Sequence, residues 1–207
     1  MRPQSRRARA ASAGSASQRI IAAARRHFLS QGFRRITMDD LAEELGMSKK
    51  TLYVCFPSKS ALLKSVLLNK FDDIETELQR ITADCSDVPA ALHRLLACVQ
   101  RHTEEIQPPF VRDIQREAPE IFQLIERRRQ QVIQRHFGKL FERGRRAGIL
   151  RKDISTTLII EILLGATQAL LNPPKMTELN LTPRTGFSAI ITVILQGALT
   201  PAGRSTL

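Results

Sequence analysis

Tryptophan is absent, tyrosine occurs once, and aromatic residues make up only 5% of the 207 positions. A core built from such a chain is aliphatic, which favours helices over the aromatic-rich cores of sandwiches. Cysteine is scarce and odd in number: Cys55, Cys85 and Cys98 form no paired framework and match no zinc-ligand spacing. They read as three free thiols of a reducing, cytoplasmic compartment. Long apolar runs are also missing, since none reaches the roughly 18 residues needed to span a bilayer. The best stretch, Leu158 to Leu171, is shorter and carries Glu161 and Gln168. No apolar run follows the basic start, so no signal peptide is expected. Acidic residues are absent until Asp39.

What is present is apolar material and positive charge. With 43% apolar residues the chain has enough to bury a core, which excludes global disorder. Lys and Arg number 32 against 20 Asp and Glu, a formal charge of +12. Residues 1–60 hold 12 of the basic residues and only four acids. The excess therefore sits mainly at the N-terminal end, and it calls for an anionic partner, nucleic acid or an anionic membrane surface.

Residues 1–16, rich in Arg, Ala and Ser, read as a disordered basic arm, because they bury too little apolar surface to offset ordering entropy. From Ser17 the spacing turns helical: Ile20, Ala24 and Phe28 recur every fourth residue, and Gly32 ends the run. Thr37 and Asp40 form a capping box with Asp in place of Glu, followed by Met38, Leu41, Ala42 and Leu45 on one helix face. Gly46 stops this short helix. Ser48 caps a third, which must end before Pro57. Ser58 opens a fourth that runs to about Ile81. Further helices are expected over about 88–107, a long stretch after Pro119, and two strongly apolar segments near 155–171 and 183–198. Asn172-Pro173-Pro174 separates the last two. No alternating strand pattern appears. The expected fold is all-α, about nine helices, divided at residue 76: an N-terminal three-helix part (17–76, with its distinctive motif at 37–56) and a larger C-terminal helical part (77–207).

The informative stretch runs from Thr37 to Lys59: T-M-D-D-L-A-E-E-L-G-M-S-K-K-T-L-Y-V-C-F-P-S-K. Two short helices joined through Gly46-Met47 form a helix-turn-helix, whose second helix suits the major groove of DNA. Ser48, Lys49, Lys50 and Thr51 place hydrogen-bonding and cationic groups at its N-terminus. Leu52 and Phe56, four apart, anchor its opposite face. This stretch resembles the TetR family of bacterial transcriptional regulators. The match covers about Ser17 to Leu68 and includes A-R-R-H-F-L-S-Q-G-F, T-M-D-D-L-A-E-E-L-G-M-S and T-L-Y-x-x-F-P-S-K-x-x-L-L.

The resemblance implies a DNA-binding domain followed by a helical domain that holds a ligand pocket and dimerises through its last two helices. It implies that Thr37 contacts phosphate, that Lys49, Lys50 and Thr51 face bases, and that Tyr53 and Lys59 grip the DNA backbone. Lys50 stands where a small residue is common, and Cys55 where His or Tyr is common. Arg6, Arg7 and Arg9 suit an arm reaching a neighbouring minor groove, or a solvated tail.

Other features carry less. Cys98 and His102, four apart, make half of a metal site. His93 lies about 140° away around the helix and does not complete it. No metal and no cofactor are assigned. The basic run from Arg127 to Arg146 reads as a solvated helix face. Ile106, Phe110, Phe122 and Leu163 suit either a cavity wall or plain core, so no ligand-binding residue is assigned. Phosphate-loop, dinucleotide and paired catalytic motifs are absent, so no enzyme is expected. The sequence thus points to a cytoplasmic homodimer that binds a double-stranded pseudo-palindromic operator, a repressor released by a small-molecule effector. A non-specific architectural DNA-binding protein is the alternative.

Overall fold

The computed structural model describes the backbone of residues 4–83 and 87–205, and side chains within that range from Ser15 onward. Every regular element among the described residues is helical, and their one β pairing is an isolated bridge between Leu150 and Leu199. The all-α expectation holds. The N-terminal domain contains α1 (Gln4–Gln31), α2 (Met38–Glu44), α3 (Lys49–Cys55) and the start of α4 (Lys59–Ala83). Then follow α5 (Val88–Glu104), α6 (Pro108–Glu117) and α7 (Pro119–Val132). A π-helical turn at Ile133–Phe137 joins α7 to α8 (Gly138–Arg146). The chain closes with α9 (Thr156–Leu170), α10 (Pro173–Glu178), α11 (Pro183–Ala198) and α12 (Pro201–Arg204).

One boundary differs from the sequence reading. Helix α1 begins at Gln4, so residues 4–16, expected to be a disordered arm, continue the helix. Ala and Arg are strong helix formers, and no proline interrupts the chain between Gln4 and Gln31. The fourth helix runs past residue 76 as expected, α4 having no breaker before Ala83. Asn172-Pro173-Pro174 separates α9 from α11 as expected, and the two prolines open the short α10, because proline is tolerated in a helix's first turn.

Two buried clusters organise these helices. The first gathers Ile20, Ala24 and Phe28 of α1, Leu41 of α2, Leu52 of α3 and Leu62 to Leu67 of α4. It is completed from outside the three-helix unit by Phe110, Ile114, Ala118 and Ile121 of α6 and α7. The second fills the C-terminal half with Leu92, Leu95, Phe137, Phe141, Leu163 and Ile191, among others. Phe137 meets both Phe141 and Phe187 edge to face.

Helix α6 is the hinge piece between the clusters. The amide of Gln107 donates to the Leu29 carbonyl at 2.9 Å, and Asp113 Oδ2 accepts from the Arg34 amide at 2.8 Å. Gly32 makes this approach possible. It has φ +99°, and a Cβ there would sit 2.6 Å from Asp113 Oδ2.

Helices α9 and α11 pack against each other and leave an apolar stripe in solvent. Leu158, Ile162 and Val193 are 52%, 50% and 73% exposed, so this face is uncovered in the single chain. Gly165 and Ala169 continue the stripe on α9, with Glu161 beside them.

Truncating Phe110 leaves a cavity where α6 enters the N-terminal core. Phe110→Ala should lower the stability of the intact chain by about 3–5 kcal/mol, read as a shifted denaturant midpoint monitored by helical circular dichroism.

Candidate nucleic-acid interface and cavity

Two capped helices and a glycine turn build the interface. Thr37 Oγ1 accepts from the Asp40 amide at 3.1 Å, and the Thr37 amide donates to Asp40 Oδ2 at 2.8 Å. The expected capping box is therefore complete, with Asp reaching back as Glu usually does. The Thr37 amide, helped by its hydroxyl, holds the Asp40 carboxyl below the ordinary aspartate range. Gly46 turns the chain at φ +61°, a conformation that costs glycine little. Ser48 Oγ then accepts from the Thr51 amide at 3.1 Å and starts α3.

The faces of α3 separate cleanly. Leu52 and Phe56 are buried in the first cluster, as the four-residue spacing predicts. Ser48, Lys49, Lys50 and Thr51 are all exposed, so the four N-terminal candidates stand together on the free face. Tyr53 is partly exposed at 46%. Val54 was missed by the sequence reading and is 78% exposed, the most open large apolar side chain among the described residues. The signal was there: Val54 lies off the Leu52–Phe56 stripe by about 200°. An aliphatic side chain on such a face suits the methyl group of thymine.

Two candidate cations already have partners. Lys49 Nζ lies 2.5 Å from Asp39 Oδ2, and this exposed pair raises its pKa. Exposed pairs hold weakly and exchange readily for phosphate or base acceptors. Lys59 Nζ donates to the Arg34 carbonyl at 3.3 Å and sits 4.4 Å from the Phe33 ring centroid. Burial lowers its pKa, against the opposing pull of Asp113, Glu117 and Asp40. Lys59 thus lies close to the start of α2 and to α6. Arg6, Arg7 and Arg9 fall on the first turns of α1, where side chains lie outside the described range.

The interface is braced from behind. Arg26 and His27 of α1 both reach Glu44 of α2, at 2.6 and 2.5 Å. Arg25 bonds Asp73 of α4 at 2.6 Å and Glu105 after α5 at 3.1 Å. Lys70, 3% exposed, joins the same network through Glu105 at 3.0 Å.

A cavity of about 160 Å³ lies between α4, α5, α6, α7, the π turn and the start of α11. Ile106, Phe110 and Phe122 line it, while Leu163 is fully buried core elsewhere. The wall is apolar apart from a few polar groups, including Lys70, His102, Glu126 and Arg129. Arg129 bonds Glu126, and both side chains are 22% exposed. Burial raises the Glu126 pKa and lowers that of Arg129. The basic run is thus not a uniform solvated face: Arg129 turns inward, Arg135 pairs with Glu75, and Arg143 donates to the Thr82 carbonyl.

Folding also brings Glu77 of α4 beside Cys98 and His102, the half-site seen in sequence. Their candidate ligand atoms lie within 4.8 Å of one another. Glu77 is already bound by Arg101 and by His102 at 3.1 Å. Burial, then the Glu77 charge, pushes the Cys98 thiol up to about 12. The arrangement is a hydrogen-bonded network around a protonated thiol. Cys55 is half-buried at the end of α3, and Cys85 lies outside the described residues.

A three-helix unit whose third helix is anchored by one apolar face and bares a cationic N-terminus has the geometry of a helix-turn-helix. Residues 20–66 match the model of bacterial regulatory proteins of the tetR family. The HTH-type transcriptional regulator EthR of Mycolicibacterium smegmatis is 38% identical over 65 residues, 31% of this chain and 30% of the relative. The nucleoid occlusion factor SlmA of Photobacterium profundum is 34% identical over 70 residues, 34% of this chain and 36% of the relative. The match thus spans about a third of these curated relatives.

The fold likeness extends further. SmeT, the repressor of the Stenotrophomonas maltophilia multidrug efflux pump SmeDEF, superposes with TM-score 0.62 over 90% of this chain and 92% of its own, at 19% identity. A TetR/AcrR-family transcriptional regulator from Thermobifida fusca gives 0.62 over 88% of this chain and 98% of its own, at 22% identity. A Saccharomonospora viridis protein solved with choline gives 0.69 over 90% of this chain and 99% of its own, at 19% identity. Some 88–90% of the chain therefore shares the fold of these helical regulators.

The Asp40 contact has a definite pH signature. A depressed folded pKa adds stability to α2 above the unfolded value of about 3.9. That stability is lost as pH falls through the lower folded value. The Thr37 amide resonance should titrate with a midpoint below about 3.9, and in Asp40→Asn this titration should vanish.

Proposed function

We propose that this protein is a dimeric, ligand-responsive transcriptional regulator that binds a pseudo-palindromic operator in the cytoplasm and represses until an effector releases it. The observation that carries the reading is the bare N-terminus of α3, where Ser48, Lys49, Lys50 and Thr51 stand exposed together above a buried Leu52. The tetR-family match over residues 20–66 supports it, as do the regulator EthR and the repressor SmeT. SmeT has also been solved with triclosan, which fits small-molecule binding by this fold.

In this reading α3 enters the major groove, with Ser48, Lys49, Lys50, Thr51 and Val54 toward the bases. Thr37, Tyr53 and Lys59 hold phosphates and set register. Lys59 must leave the Arg34 carbonyl to do so, or reach phosphate with its remaining donors. Arg6, Arg7 and Arg9, in the first turns of α1, add positive charge that attracts the duplex.

The uncovered stripe of α9 and α11 supports a homodimer, since a second copy of the same helix pair would bury Leu158, Ile162 and Val193. Two domains then present two α3 helices to successive grooves. Signal passes through α6. Phe110 and Ile114 line the cavity and belong to the N-terminal cluster, while Asp113 holds the Arg34 amide three residues before Thr37. A ligand that favours one placement of α6 changes the separation of the two DNA-binding domains, by as much as its affinity for the two placements differs.

Selection of bound duplexes from a random pool, at near-physiological salt, tests the reading. An inverted repeat should be enriched, and Lys50→Ala should change preference at one position by about 1–3 kcal/mol. Recovery of the pool without enrichment, with and without metabolite extract, would overturn sequence-specific binding. Ile162→Glu should convert the dimer to monomer in sedimentation velocity and weaken binding to the inverted repeat far more than to a half-site. An unchanged sedimentation coefficient would remove α9 from the dimer contact.

A further inference from the structure

The polar groups of the cavity are unequal in kind. Arg129 Nε is buried and has no hydrogen-bond partner. Lys70, 3% exposed, has three ammonium protons, and the bond to Glu105 uses one. These two cationic side chains come from α7 and α4 and line the same space. Against them stands one carboxylate in the wall, Glu126, already engaged by Arg129. His102 adds an unpartnered buried Nδ1, which can donate or accept with its tautomer. The Thr103 hydroxyl is turned back on the carbonyls of Val99 and Gln100. The wall therefore offers buried donors in excess of acceptors, on an otherwise apolar surface.

An unmet buried donor is costly, and a charged acceptor is the group that satisfies it best. We infer that the cavity takes a small amphipathic monocarboxylate, its head bound by Arg129 and Lys70 and its apolar body against Phe110, Phe122 and Phe137. The volume limits the body. Apolar cavities of about 150 Å³ take up benzene, so about 160 Å³ suits a single ring or a chain of roughly six to eight carbons. This inference rests on the effector-binding part of the proposed function and specifies its chemistry. The lowered pKa of Arg129, caused by burial, agrees with a guanidinium short of counter-charge.

Isothermal calorimetry on the intact chain, without DNA, provides the test. Three probes share one apolar body and differ in the head: octanoate, octan-1-ol and octyltrimethylammonium. Octanoate should bind at least about tenfold more tightly than either of the others. Arg129→Gln should abolish that preference while leaving octan-1-ol binding in place. Glu126→Gln, which frees Arg129 from its internal partner, should tighten octanoate binding. Helical circular dichroism on both variants verifies that each is folded. Tightest binding of octyltrimethylammonium, lost in Glu126→Gln, would overturn the inference and make Glu126 the head-group partner of a cation. Equal binding of all three would leave recognition to the apolar body alone, and no binding would make the cavity ordinary core, either of which overturns it. Because no duplex is present, failure here is separate from failure of the operator selection.

Discussion

The docking of α6 onto the N-terminal three-helix unit governs the molecule. A unit of this size buries a modest core by itself, and here part of that core is supplied by Phe110, Ile114, Ala118 and Ile121 from later in the chain. Asp113 fixes the docking at one point by accepting from the Arg34 amide, and Gly32 leaves room for the carboxylate. Helix α1 and the turn that leads to α2 are therefore packed against the same element that walls the cavity. Any change in the cavity that moves α6 is felt in the turn before Thr37.

Charge is distributed in a way that serves both ends. Around α3 the cations are exposed or weakly paired, so they exchange partners at little cost. Deeper in the chain the charged groups are tied into networks: Arg25, Lys70, Asp73 and Glu105 join α1, α4 and the end of α5. Burying an ammonium such as Lys70 is unfavourable unless paired, and Glu105 provides the pairing. These networks hold α4 against its neighbours along the part of the helix that passes from one buried cluster to the other.

Much of the interface was legible in sequence because its signals are local. The Thr37–Asp40 box, the Gly46 turn, the Ser48 cap and the Leu52–Phe56 anchor each depend on residues a few positions apart. The extent of α1 was not legible, because the composition of residues 4–16 suits a disordered tail and a helix alike. Val54 was passed over because its exposure depends on what packs around α3. Glu77 joins Cys98 and His102 only through the α4–α5 contact, more than twenty residues away in sequence. Leu163 and Phe122 looked alike as candidates, and only packing put one in the core and the other on the cavity wall.

The sequence alone determined the helical class, the helix-turn-helix and the cationic start of its second helix, since periodicity, capping and turn chemistry act over one or two helical turns. Tertiary structure decided the rest. It turned Arg129 inward from a basic run, assembled the cavity from helices distant in the chain, and placed Asp113 on the Arg34 amide. These depend on which helix faces meet, and that choice follows from burying all the apolar faces at once rather than from any local pattern.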